Sequence, residues 1–376
     1  MSGSRRILFF ENNPAYFVSH RLALAQAVRG LGYEVHVASL PGPASDAIRA
    51  AGFEFHPLRF SRSGMNPFGE LLTLWRIHRL YRELRPALVY QVTIKPVIYG
   101  TLAARSARLP RVVSVISGLG YFAIQDTRRG ALLRSLIFRL YRFALRHSRQ
   151  KVIFHNPEDR EVFVQRGILQ RADTEVVPGS GVDTAFFKVS DEPAGVPVVV
   201  LPARMLRDKG VQEFVAAARQ LRATGVAARF LLAGPTDPDN PAAIPEAQLR
   251  QWTADGGIEW LGQVQDMRML YASSNVVCLP SYREGMAKVL LEAAASGRAV
   301  VTTDAPGCRD AVLPGETGLV VAPRDSGALA AALRRLIDDG ALRRRMGQAG
   351  RRHVEAGFSV GQVIRQTTLI FQGLLR

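Results

Sequence analysis

Short runs of β-branched and other apolar residues alternate with longer amphipathic stretches along almost the whole chain. In the first half these runs predict strands at 5–10, 34–39, 87–92, 111–117, 151–156 and 174–178. In the second half they predict strands at 196–201, 228–233, 258–262, 276–280, 299–303 and 318–322. Mostly continuous apolar strands separated by helices are typical of parallel sheets covered on both faces. The sequence therefore predicts an α/β fold with two doubly wound, Rossmann-like sheets.

The length of 376 residues is too great for one ordinary hydrophobic core and suits two domains. Pro, Gly and acidic residues interrupt the strand–helix alternation near 184–195, which predicts domains at 1–188 and 189–358. A last helix is predicted within 359–376, and the sequence does not decide which domain it packs on. A ligand site is expected at the carboxyl ends of both sheets, in a cleft between the domains.

The cysteine content favours a reducing compartment, because Cys278 and Cys308 cannot make a disulfide framework. The apolar run 7–10 is short and predicts a first β-strand rather than a signal peptide. The sequence contains no uninterrupted apolar stretch of about 18 residues, the length that a spanning helix needs. A cytoplasmic location is therefore expected.

The formal net charge of +17 is distributed unevenly. Residues 1–188 hold 27 Lys and Arg against 13 Asp and Glu, whereas residues 189–376 hold 22 against 19. A positive field concentrated on one half indicates an anionic partner there, such as a membrane surface, a nucleic acid or a phosphorylated substrate.

The segment 284–292 follows a predicted strand and begins a helix. Gly285 lets the backbone approach a ligand, and the N–H groups of a first helical turn bind phosphate oxygens. The Glu292 carboxylate can accept hydrogen bonds from both hydroxyls of a ribose, while Glu284 can hold hydroxyls of a transferred sugar. The predicted donor-binding residues are Gly285, Met286, Ala287, Lys288 and Glu292. The alternative is a surface helix with an incidental Glu–Lys pair at i,i+4 spacing.

A second loop, at 202–210, follows the first predicted strand of the second domain. Arg204 and Lys209 lie five residues apart on it, and together they can bracket a diphosphate, Arg as a fork and Lys as a point charge. With Glu284 they are the predicted catalytic residues. The alternative is that both cations are solvated loop charges.

The segments ARMLRDKG (203–210), REGMAKVLLEAAASG (283–297), GSGVD (179–183) and TTDAPGCRDAV (302–312) resemble family 4 of retaining glycosyltransferases over essentially the full length. The resemblance implies a GT-B fold of two Rossmann-like domains and metal-independent transfer without a cofactor. By it, Arg204 and Lys209 match the diphosphate-binding pair, and Glu284 and Glu292 match the glutamates of the E-x7-E motif. The family pattern usually has proline where this chain has Ala287, which leaves the loop looser without removing a charged ligand.

Three further segments are similar to bacterial transferases that extend undecaprenyl-diphosphate-linked sugars: SRSGMNPF (61–68), TIKPVIYG (93–100) and SGLGYF (117–122). Some of these transferases add N-acetylgalactosamine to a diphospho-undecaprenol-linked sugar. The resemblance implies a UDP-sugar donor, an undecaprenyl-diphosphate-linked saccharide acceptor and a role in O-antigen or capsule biosynthesis. It places the protein on the inner face of the plasma membrane.

Candidate acceptor-binding residues lie in the first half. His20 follows the first loop and either contacts a substrate or packs as an ordinary helix histidine. Lys95 lies at a strand end before a predicted helix and is the candidate for the acceptor diphosphate. Ser117 and Gly118 stand where many members of the resembled family have a histidine, so that role is vacant here.

The segment 128–151 contains eight Arg and Lys and no acid. On a helical wheel five arginines share one arc: Arg134, Arg139, Arg142, Arg146 and Arg149. An apolar stripe is predicted opposite them: Leu133, Leu136, Ile137, Leu140 and Ala144. The stripe can face the domain core while the arginines face water or the phosphates of an anionic membrane surface. A second basic helix is predicted around 75–82.

The sequence also allows three other interpretations of its function: a metal site, an epimerase and a polyanion-binding protein. The string Asp237-Pro238-Asp239 lies in a Pro-rich loop and predicts a turn rather than a metal site. A UDP-sugar epimerase on the same fold would change the sugar nucleotide without using an acceptor. A polyanion or nucleic-acid binder is suggested by charge alone, but the sequence has no zinc spacing or RNP-like run, so no nucleic-acid partner is expected.

Overall fold

The structure is a computed structural model that describes residues 4–61, 66–120 and 127–376. The chain forms two compact units: residues Met1–Ser180 with Val363–Arg376, and residues Gly181–Gln362. It passes between the units at 180/181 and again at 362/363, whereas the sequence analysis placed one boundary at 188/189. Residues 62–65 of SRSGMNPF and 121–122 of SGLGYF lie outside the described residues.

The first unit contains a seven-stranded, wholly parallel sheet. Its strands are β1 (Arg6–Phe10), β2 (Glu34–Ser39), β3 (Glu54–Pro57), β4 (Leu88–Val92), β5 (Val112–Ile116), β6 (Gln150–Phe154) and β7 (Thr174–Val176). Its helices are α1 (Pro14–His20), α2 (Leu22–Gly30), α3 (Ser45–Ala50), α4 (Pro67–Leu84), α5 (Ile94–Ser106), α6 (Arg128–Ala144) and α7 (Pro157–Gln165). The strand order is β3-β2-β1-β4-β5-β6-β7.

The second unit contains a six-stranded parallel sheet. Its strands are β8 (Val198–Pro202), β9 (Arg229–Ala233), β10 (Glu259–Trp260), β11 (Val276–Leu279), β12 (Ala299–Thr303) and β13 (Gly318–Val321). Its helices are α8 (Val211–Ala223), α9 (Glu246–Ala254), α10 (Met267–Ala272), α11 (Lys288–Ala295), α12 (Ser326–Asp338) and α13 (Gly340–Gly357). The order β10-β9-β8-β11-β12-β13 places β8, β11 and β12 side by side. The predicted α/β fold with two Rossmann-like parallel sheets is confirmed.

Helix starts in the first unit follow from local sequence. The side-chain oxygens of Asn13, Asn66, Thr127 and Asn156 each accept a hydrogen bond from a backbone N–H of the helix that follows. Three of these helices also begin with proline, whose missing N–H costs nothing at that position. No helix among residues 4–61, 66–120 and 127–376 is long and apolar enough to cross a membrane.

The last helix, α14 (Val360–Leu375), packs largely on the first unit, which answers the question that the sequence left open. Val363 and Phe371 are buried in a core cluster of that unit. The Phe371 ring packs edge-on against Tyr90 at 5.4 Å between centroids. The Arg111 side chain donates a hydrogen bond to the carbonyl of Leu374.

Candidate functional site

The loops that follow β8, β11 and β12 meet at the carboxyl edge of the second sheet. Gly210, with φ +71°, lies so close to Pro280 that a Cβ would come within 2.1 Å of its carbonyl oxygen. Gly307, with φ +73°, lies similarly close to Glu284, where a Cβ would come within 2.3 Å of the carbonyl oxygen. The backbone N–H of Tyr282 donates to the carbonyl of Asp208 at 2.9 Å. Since glycine alone fits these approaches, the three loops hold one another in place.

Lys209 and Glu284 form an ion pair between two of these loops. Lys209 Nζ lies 2.5 Å from Glu284 Oε1, and each side chain is 16% exposed. Burial disfavours the charged amine, but the charge of Glu284 and its hydrogen bond outweigh that effect, so the pKa of Lys209 is raised. The predicted catalytic residues Lys209 and Glu284 are thus brought together, and Lys209 is held as a cation.

Arg204 is paired with Asp237, a partner that the sequence analysis did not predict. Arg204 Nη1 donates to Asp237 Oδ2, and the arginine side chain is about half exposed. Asp237 also begins the predicted turn, because its carbonyl accepts the N–H of Asn240 at 2.9 Å. Spacing in the sequence could not reveal an ion pair formed between different loops.

Glu292 is buried on α11, which contradicts the alternative of a surface helix. Tyr271 donates its hydroxyl to Glu292 Oε2 at 3.1 Å, and Lys288 Nζ lies 3.4 Å from Oε1. Burial raises the pKa of Glu292, although the Lys288 charge and the hydrogen bonds from Tyr271 and Lys288 oppose this rise. The carboxylate is therefore positioned from both sides before any ligand arrives.

The donor loop differs from the prediction in one respect. Helix α11 begins at Lys288, so Gly285 and Met286 precede it. The N–H of Ala287 donates to the carbonyl of Gly307 at 2.8 Å, and the N–H of Lys288 donates to that of Met286 at 2.9 Å. These two amides, expected to be free for phosphate, already have acceptors. The Ala287 amide bonds to the loop after β12, and the Lys288 amide bonds within its own loop.

The candidate acceptor residues of the first unit follow neighbouring strands. Ser117 and Gly118 come directly after β5, and Lys95 is the second residue of α5, after β4. Lys95 Nζ lies 2.6 Å from Glu70 Oε1 and donates to the carbonyl of Ser61 at 2.8 Å. The structure therefore holds Lys95 in a polar cluster rather than in open solvent.

A buried cluster of titratable side chains near His20 was missed by the sequence analysis. Glu11 directly follows β1 and His155 directly follows β6, while Arg21 separates α1 from α2. Burial raises the pKa of Glu11 to about 7, against the charge of Arg21. Burial and the charges of Arg21 and His20 hold the pKa of His155 well below its usual range. Charged residues placed immediately after apolar strands were the available signal.

His20 itself is half-buried, and its ring stacks on Tyr16 at 4.2 Å between centroids. Ser19 Oγ lies 2.7 Å from His20 Nδ1. The ring is close enough to the cluster to affect His155, so His20 belongs to a polar region rather than to the apolar core.

Helix α6 faces the core with a different side from the predicted one. Phe138, Tyr141 and Ala144 are buried, whereas Leu136 and Leu140 of the predicted stripe are exposed. The core side is rotated by roughly a quarter turn from that stripe. Four of the five arginines are exposed, namely Arg139, Arg142, Arg146 and Arg149, and Arg134 is half-buried.

The same rotation leaves an apolar face of α6 in solvent beside the arginines. It consists of Leu132, Leu136, Leu140 and Phe143. Helix α4 repeats the arrangement, with Phe68, Leu71, Leu72 and Trp75 exposed along one face. Arg79 and Arg82 continue that face by helical spacing. Exposed apolar side chains next to arginines are typical of helices that lie on an anionic membrane.

Two family models match the chain. "Glycosyl transferase 4-like" matches residues 6–156, and "Glycosyl transferases group 1" matches residues 196–339. The chain is 28% identical over 351 residues to the N,N'-diacetylbacillosaminyl-diphospho-undecaprenol alpha-1,3-N-acetylgalactosaminyltransferase of Campylobacter jejuni. The similarity covers 90% of this chain and 91% of that protein. It is 26% identical over 304 residues to the capsular polysaccharide biosynthesis glycosyltransferase CapM of Staphylococcus aureus, spanning 78% of each.

Solved structures share the fold over nearly the full length. Anabaena HepE in complex with UDP and glucose superposes with a TM-score of 0.81 at 19% identity, covering 98% of this chain and 99% of that one. Sucrose-phosphate synthase of Thermosynechococcus elongatus gives a TM-score of 0.79 at 21% identity, covering 98% of each chain. At these identities the likeness shows a common architecture.

Proposed function

Since the chain belongs to the glycosyltransferases described by the group 1 and 4-like family models, we propose that it transfers a sugar from a UDP-sugar to a polyprenyl-diphosphate-linked saccharide. The sugar is an N-acetylhexosamine such as N-acetylgalactosamine, and its anomeric configuration is retained. The observation that supports this most directly is the site of the second unit. There Lys209, Arg204, Glu284 and Glu292 follow neighbouring strands at one edge of the sheet.

In the proposed reaction the acceptor hydroxyl oxygen bonds to the anomeric carbon on the face that the diphosphate leaves. The bond between that carbon and the β-phosphate oxygen breaks, and the hydroxyl proton passes to the leaving phosphate. Lys209 and Arg204 stabilise the negative charge that develops on the diphosphate. Arg204 exchanges its contact with Asp237 for phosphate oxygens, while Glu284 keeps Lys209 oriented and accepts hydrogen bonds from the sugar hydroxyls.

We expect Glu292→Gln to weaken UDP binding by about 10–100-fold, because hydrogen bonds to a charged acceptor contribute roughly 1.5–3 kcal/mol. Isothermal titration with UDP measures the effect. Glu355→Gln, an exposed glutamate of the same unit, is the control and should bind UDP normally. UDP affinity equal to wild type in Glu292→Gln would remove the ribose role from this residue.

The acceptor is assigned to the first unit. Lys95 would bind the acceptor diphosphate, with Ser117, Gly118 and His20 on nearby segments that follow the strands. The exposed apolar and basic faces of α4 and α6 support peripheral binding to an anionic membrane, on its inner face. This arrangement suits an acceptor whose lipid remains in the bilayer.

The proposed reaction should proceed in excess EDTA, because Lys209 and Arg204 supply the positive charge for the leaving group. The test incubates the protein with UDP-N-acetylgalactosamine and a polyprenyl-diphosphate-linked saccharide, with and without chelator. Extension of the lipid-linked saccharide in both samples supports the proposal. Conversion of the UDP-sugar without acceptor would indicate the epimerase instead, and activity that needs added Mn²⁺ or Mg²⁺ would contradict the metal-independent mechanism.

A further inference from the structure

The edge of the first sheet contains the same tripeptide pattern twice. Strand β2 begins Glu34-Val35-His36, and β3 begins Glu54-Phe55-His56. Residues two apart on a strand share one face of the sheet. The parallel register places His36 beside Glu54 and places Ala38 beside His56. The two strands therefore present two glutamates and two histidines on one face. The pattern on β3 is shifted by two residues along the strand relative to the pattern on β2.

Three of these side chains converge on one point. His36 Nδ1 lies 3.0 Å from His56 Nε2 and 3.6 Å from Glu54 Oε2. One ligand atom from each of the three residues lies within 4.8 Å of the other two. Two ligand atoms bound to a tetrahedral zinc, each at about 2.0–2.1 Å, lie roughly 3.3–3.4 Å apart. The two spacings at His36 Nδ1, 3.0 and 3.6 Å, bracket that value, and the third pair of ligand atoms lies within 4.8 Å.

We propose that His36, His56 and Glu54 form a binding site for a divalent transition-metal ion, Zn²⁺ first, that fastens β3 to β2. Two imidazoles and one carboxylate are a ligand set that zinc accepts, with water in the fourth position. The site lies on the edge strand β3 and its neighbour β2, and the proposed transfer mechanism does not use it. The proposal is therefore independent of the proposed function.

The surroundings suit metal binding. His36 Nε2, on the far side of the ring, lies 3.9 Å from Glu34 Oε2. Glu34 Oε2, which also accepts a hydrogen bond from Arg6 Nε at 2.9 Å, lies on that side of the ring, and Nδ1 faces His56 and Glu54. The Glu54 side chain is 69% exposed and gives an ion access from solvent.

The test is a zinc titration of the whole chain against a chromophoric chelator, with thermal unfolding measured in parallel. Wild type should bind one Zn²⁺ and unfold at a higher temperature when it is present. His36→Gln and His56→Gln should each lower zinc affinity by at least about tenfold. Cobalt bound in place of zinc should give a visible spectrum that both histidine variants lose.

One further ligand variant and one control keep the test decisive if a histidine variant folds poorly. Glu54→Gln changes an exposed side chain and should retain the fold while losing zinc affinity. His78→Gln removes a histidine of the same unit that bonds to Ser106 instead, and should bind zinc normally. Equal zinc affinity in wild type, Glu54→Gln and the His36→Gln/His56→Gln double variant would overturn the proposal, whatever the transfer assay shows.

Discussion

Replacing Lys209 by alanine should lower the rate of sugar transfer by about 10²–10³-fold, which is the usual effect of removing one group that stabilises transition-state charge. The structure supports a large effect because Lys209 is held as a cation by Glu284 at 2.5 Å. The variant loses the charge and also leaves the Glu284 carboxylate without this partner. Single-turnover rates with saturating UDP-sugar measure the loss in the chemical step.

The control for this experiment is Arg207→Ala, which removes an exposed cation from the same loop. It should transfer sugar at close to the wild-type rate. Arg204→Ala should also be impaired, although Arg204 is more exposed and its partner Asp237 can rehydrate. If Lys209→Ala and Arg204→Ala both retain near wild-type rates while folded, the diphosphate assignment is wrong.

Charge reversal at Arg139, Arg142 and Arg146 should reduce binding to anionic vesicles by at least roughly 10²-fold, since each basic residue near the surface contributes about 1 kcal/mol. These side chains are exposed beside the apolar face of α6. Turnover of a long-chain polyprenyl acceptor should fall in parallel, whereas a soluble short-chain analogue should be extended normally. Salt should produce the same loss in wild type, because the Debye length shrinks from about 10 Å at 0.1 M to about 3 Å at 1 M.

A matched triple variant separates docking from overall charge. Arg344, Arg345 and Arg352 are exposed arginines of the second unit, and reversing them changes the net charge by the same amount. This control should bind phosphatidylglycerol vesicles like wild type. Equal loss in both triple variants would mean that net charge, and not the surface of α6, determines binding.

The sequence predicted most strands because buried parallel strands are mostly apolar, as β4, β5, β8 and β12 are. It missed β3, whose residues Glu54-Phe55-His56-Pro57 have no such run. The amphipathic stretch 16–30 predicts a single helix, whereas the structure forms two there, α1 and α2. The helix is interrupted at Arg21, whose buried guanidinium lies over the Tyr90 ring. Tyr90 belongs to a distant segment, so local sequence could not reveal this contact.

The sequence predicted which loops form the candidate donor site, but it did not predict the side-chain contacts within it. Charged residues after apolar strands identified Arg204, Lys209, Glu284 and Glu292. The partners Asp237 and Tyr271 could not be found, because they come from other loops and helices of the same unit. The core-facing stripe of α6 was misplaced for a related reason. Helical periodicity gives the order of side chains around a helix, but the neighbouring elements decide which arc is covered.

The return of the chain to its first unit determines how the enzyme can be recombined with its relatives. The second unit, to which the donor site is proposed to belong, is a single insertion, residues 181–362, within a unit that the last helix completes. A chimera that exchanges donor specificity therefore needs two junctions, one near 180/181 and one near 362/363. A single crossover would combine the first sheet of one protein with the terminal helix of another. The residues that replace Phe371 and its neighbours would then have to pack on Tyr90.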